Sequence, residues 1–86
     1  MSYLHLGKGF IADTADIVGI FDLDVTSQSH LTRKYLAAAE KAGEVVAASE
    51  DLPKSFVVCE RDGKRSLVLS QMAAATLRRR VESGDV

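Results

Sequence analysis

Along the chain the spacing of apolar residues changes several times, and each change marks an element. Tyr3-Leu4-His5-Leu6 reads as a short strand, ended by Gly7-Lys8-Gly9, whose glycines accept turn conformations. Phe10-Ile11-Ala12 reads as a second extended piece. Ile17-Val18-Gly19-Ile20-Phe21-Asp22-Leu23 is a nearly continuous apolar run, too short for a typical helix and rich in β-branched residues. It predicts a central strand buried on both faces. The polar stretch from Asp24 to Ser29 then offers several N-cap candidates for a helix. In that helix Leu31, Tyr35, Ala38 and Ala42 share one side, with Arg33, Lys34, Glu40 and Lys41 largely on the other, and Gly43 is the expected stop. The bulk-poor stretch Ala37-Ala38-Ala39 suits close approach to a sheet or to a neighbouring subunit.

Glu44 to Ala48 reads as a further strand and Ser49 to Pro53 as a polar loop. The clearest local signal follows. Ser55 to Arg61 and Lys64 to Leu69 are strand-like runs separated by Asp62-Gly63, the two-residue signature of a type I′ hairpin. Its register sets Arg61 opposite Lys64, Glu60 opposite Arg65, Val58 opposite Leu67 and Phe56 opposite Leu69. Ser70 is placed to cap a last helix from Gln71 to about Glu82, with Ala73, Leu77 and Val81 on its apolar side, before a frayed tail at 83–86. The predicted fold is α+β: a small mixed or antiparallel β-sheet with two short helices, in a single domain spanning residues 1–86.

With 86 residues the chain has room for one modest core, and 47% hydrophobic with 27% charged residues is ordinary globular composition. Domains this small often draw extra stability from disulfides, metals or association. Cys59 is the only cysteine, which rules out an internal disulfide and leaves assembly into a homo-oligomer as the expected supplement. No basic stretch leads into an apolar segment, and no apolar run approaches the ~20 residues of a membrane span, so the expectation is a cytoplasmic protein with no membrane association. Net charge is −1, but residues 1–50 stand at −3 and residues 51–86 at +2. A polyanion site belongs in the second half.

Candidate chemistry is sparse. Gly7-Lys8-Gly9 lacks the pattern and the following helix of a phosphate loop. Asp22 and Asp24 are too few for a calcium loop, and Asp13 and Asp16 read as turn residues. His5, His30 and Cys59 form no nucleophile or metal motif in sequence, so neither enzyme activity, metal nor cofactor is expected. The strongest chemical feature is Arg78-Arg79-Arg80 on the last helix, where clustered guanidinium groups can bind phosphates. The three point about 100° apart, however, and Glu82 is spaced to pair with Arg78 or Arg79.

Four segments together carry a family resemblance: Tyr3-Leu4-His5-Leu6-Gly7, Asp16 to Asp22, Pro53-Lys54-Ser55, and Ser70 with Thr76-Leu77-Arg78-Arg79-Arg80. In order and spacing they resemble the bacterial extracellular matrix regulator RemA/RemB family, its RemB branch in particular, over nearly the whole chain. The resemblance implies a ring-forming subunit and a role in transcription regulation of biofilm matrix genes. In the RemA branch it also implies duplex DNA binding through arginines, a pair just before the Ile-Val strand and a cluster in the loop before the hairpin. Here those places read Ala15-Asp16 and Glu50-Asp51-Leu52-Pro53, and a carboxylate facing phosphate repels it. The basic residues left for DNA are Lys54, Arg78, Arg79 and Arg80, which ring symmetry would repeat into a belt. The competing expectation is a scaffold that has lost DNA binding and engages another regulatory protein.

Overall fold

The computed structural model describes residues 3–7, 9–23, 30–48 and 52–83. Strands β1 (Tyr3–Gly7) and β2 (Phe10–Asp13) form an antiparallel hairpin, and a 3-10 turn over Thr14–Asp16 leads into β3 (Ile17–Asp22). Helix α1 (His30–Lys41) follows, then β4 (Val45–Ala47), β5 (Ser55–Arg61), β6 (Lys64–Ser70) and helix α2 (Ala74–Ser83). A four-stranded sheet takes the order β3-β5-β6-β4; β4 runs parallel to β6 and the other pairs are antiparallel. This is the expected α+β class, with the N-terminal hairpin set apart as a second sheet. The candidate N-caps at 24–29, together with Lys8, Glu50 and Asp51, lie outside the described residues.

The alternation of β5 and β6 divides the core between the two faces of the larger sheet. On one face Val57, Cys59 and Val68 pack with Leu4 and Leu6 of the hairpin and Leu77 of α2. On the other, Phe56, Val58 and Leu67 meet Ala39 of α1, with Leu36 and Val45 beside them. The hairpin tip has positive φ at both Asp62 and Gly63, and the four predicted cross-strand pairs all form. Gly43 also ends α1 as expected. At φ 73 it donates its amide to the Glu40 carbonyl at 3.1 Å while Glu44 reaches the Ala39 carbonyl at 2.9 Å, the paired bonds of a Schellman motif.

Three sequence expectations are corrected. First, β3 is an edge strand of its sheet, not a central one: Ile17 and Ile20 pack on the hairpin core, but Val18 on the other side is 62% exposed. Second, α1 turns Leu36 and Ala39 inward and leaves Leu31, Tyr35, Ala38 and Ala42 exposed, so the apolar stripe read as its packing side is its outer side. Third, α2 begins at Ala74 rather than Gln71, and its buried side is Ala74 and Leu77 in place of Ala73. The delay has a local cause: the buried Ser70 hydroxyl donates to the Leu6 carbonyl and accepts from the Met72 amide, while Ser55 Oγ donates to the Met72 carbonyl at 2.7 Å. These bonds hold residues 70–72 in a turn, and Ser70 closes β6 instead of capping α2.

Candidate functional site

The four basic residues singled out in the sequence all lie on the exposed surface, but in different circumstances. Arg78 Nη2 donates to the carbonyl oxygen of Ile20, so α2 reaches across to the edge strand through this side chain rather than to Glu82. Arg79 and Arg80 are exposed on the same helix, turned away from Arg78 by its helical rotation. Lys54 is exposed just before β5, where its amide donates to the Ser70 carbonyl at 2.8 Å and its carbonyl accepts from Leu23 at 3.0 Å. The backbone there is fixed by sheet bonding.

A second charged cluster escaped the sequence reading. Arg61, at the end of β5, lies 2.9 Å from Asp16 and 3.4 Å from Asp13. The Asp16 carboxylate favours the guanidinium charge, and the Arg61 pKa is raised, first by hydrogen bonding to Asp16 and then by its charge. Asp13 also accepts from the Ala15 amide at 2.9 Å, the turn role expected of it. The place where the resemblance puts an arginine pair before the Ile-Val strand is therefore an acidic turn holding a cation of its own chain. Nothing in local sequence spacing could reveal a pair formed across 45 residues.

Cys59 is buried beneath this cluster, and its thiol pKa is raised by burial and, secondarily, by the Asp16 charge. That is the opposite of an activated nucleophile. Among the described residues no three His, Cys, Asp or Glu side chains group as metal ligands, and no helix is long and apolar enough to cross a membrane.

The third surface is apolar. A groove of about 410 Å³ runs between α1 and the edge strand, with Val18, Phe21, Phe56 and Val58 from the sheet and Leu31 and Tyr35 from α1. Phe21 stacks on Phe56 with ring centroids 4.9 Å apart, which fixes the floor. A Cβ at Gly19 would lie 2.7 Å from the Phe21 ring, so glycine there lets the ring lie over the strand. Leu31 is 76% exposed on the wall. Arg65 closes one end; Tyr35 beside it and then Glu60, at 3.5 Å, favour its charged form. The sequence signal for this groove was the stripe Leu31-Tyr35-Ala38 itself, on a helix whose alanines suited close approach either to a sheet or to a neighbouring subunit.

No family model matches the chain. It is 32% identical over 80 residues to Extracellular matrix regulatory protein B of Bacillus subtilis (strain 168), an alignment that covers 93% of this chain and 90% of the relative. Identity of this extent over 93% of the chain places it in the extracellular matrix regulatory protein B family.

Proposed function

We propose that this chain is a regulator of extracellular matrix gene expression that works as a homo-oligomeric ring and acts through protein contacts. The regulatory role rests on the relative's name and the matching extent of the two chains. The protein-contact mechanism rests on one observation: where the resemblance puts DNA-binding arginines before β3, Asp16 stands in an ion pair with Arg61. Phosphate approaching that turn meets a carboxylate whose compensating cation is already engaged. The open apolar groove supplies a surface of the kind that protein partners cover.

A second reading keeps duplex DNA as a partner, contacted by Lys54, Arg78, Arg79 and Arg80 repeated around a ring. It is favoured by the exposure of Lys54 and Arg79. Fluorescence anisotropy of a labelled duplex at low and moderate salt separates the two. Protein-mediated action predicts little binding at either salt, and a phosphate belt predicts tight binding that falls steeply as salt rises.

A further inference from the structure

The two edges of the four-stranded sheet differ in what they offer another chain. β4 is three residues long, too short to template much of a strand. β3 has six residues, Ile17–Asp22, with no proline and no basic side chain of its own, and Val18 on it is 62% exposed. A bulge between Ile17 and Gly19 disrupts its first end, which leaves Gly19 to Asp22 as regular strand. Bonding to β5 fixes which main-chain groups of that stretch point outward. Leu23 donates its amide to the Lys54 carbonyl at 3.0 Å, and in the same register Phe21 stands opposite Phe56 and Gly19 opposite Val58. Hydrogen-bonded pairs alternate along an antiparallel ladder, so the amide and carbonyl of Ile20 face away from β5, into the open edge. That Ile20 carbonyl is the acceptor taken by Arg78 of α2.

We infer that Arg78 guards the β3 edge against strand addition by a second copy of this chain. An added strand bonds to the outward main-chain groups of its template, and the Ile20 carbonyl lies within the regular stretch of β3. A guanidinium already seated there occupies the acceptor and sets a positive charge in the path, the part that a lysine or proline on the strand plays in other edge strands. The second copy is the competitor because this edge is complementary to itself. A two-fold axis lays β3 antiparallel beside β3 and brings Val18 and Phe21, which line one groove, together with their counterparts on one face of a continuous sheet. Such a contact is isologous, unlike the head-to-tail contacts that close a ring, so the guard leaves ring assembly through other surfaces untouched.

The test is mass by light scattering over a range of protein concentrations for wild type, Arg78→Ala and Arg78→Met, each checked for folding by far-UV circular dichroism. Methionine keeps an apolar stem on α2 while removing the donor. The wild-type mass is the baseline whether it is a ring or a monomer, so the result stands apart from the proposed assembly. Both variants should at least double in mass as concentration rises, a change that a bond serving stability alone would not produce. Val18→Lys places a charge on the β3 edge itself, and the Arg78→Met, Val18→Lys double variant should match the mass of Val18→Lys alone. Wild-type mass at every concentration in folded Arg78→Met overturns the guard. A mass that still rises in the double variant also overturns it, because the association then uses another surface.

Discussion

Arg78 on α2 donates a hydrogen bond to the carbonyl oxygen of Ile20 on β3. The edge strand and the last helix are thereby tied by a polar contact as well as by Ile20, Leu77 and Val81 in the shared core. Arg78→Ala should destabilise the fold by about 1 kcal/mol, the usual net worth of such a bond. Arg79→Ala, at an exposed position with no such contact, should stay within about 0.5 kcal/mol of wild type. Urea titration of both variants checks the contrast, and equal stabilities would remove Arg78 from its structural role.

Leu77 anchors α2 beneath the hairpin and is fully buried. Leu77→Ala should cost about 3 kcal/mol through lost burial and the cavity left behind. A cost under about 1 kcal/mol, measured by chemical denaturation, would mean that α2 is not packed as described.

Replacing Ala15 and Asp16 together by arginine reverses the charge before β3 and releases Arg61 from its closest partner. Little stability should be lost, because exposed ion pairs contribute only about 0 to 1 kcal/mol. The double variant should gain salt-sensitive affinity for duplex DNA, read by anisotropy. No gain would show that the acidic turn is not what keeps phosphate away.

The Cys59 thiol has a raised pKa in the folded protein, from burial first and the Asp16 charge second. The native state therefore holds this proton more tightly than the unfolded chain does. The stability it contributes is full below the ordinary thiol range and declines as pH rises through and beyond it. Denaturation at stepped alkaline pH should show this decline in wild type and a smaller one in Cys59→Ala. An accessible-thiol assay at neutral pH should find Cys59 slow to react unless the protein is unfolded.

Local chemistry made the β5–β6 hairpin legible in the sequence, since an Asp-Gly turn sets the register and the pairing then follows. The stop at Gly43 was legible for the same reason. What lay hidden depended on tertiary neighbours. An apolar run cannot distinguish a strand buried on both faces from an edge strand with one face open, so Val18 and Phe21 read as core. The stripe Leu31-Tyr35-Ala38 was visible, but its role was not, because Leu36 and Ala39 offered an equally apolar alternative. Of the site residues, the arginines of the last helix were found by charge and Lys54 by its place in the family resemblance, whereas the binding of Arg78 to Ile20 and of Arg61 to Asp16 required the fold.

In the proposed function this chain assembles with itself and does not use the DNA-binding mode of arginine-bearing relatives. The most direct measurement is anisotropy of labelled duplex DNA titrated with the protein at low and moderate salt, with mass by light scattering on the same sample. The expected result is a defined oligomer and little duplex binding at either salt. A monomer, or an oligomer that binds duplex DNA tightly and loses it steeply with salt, would contradict it.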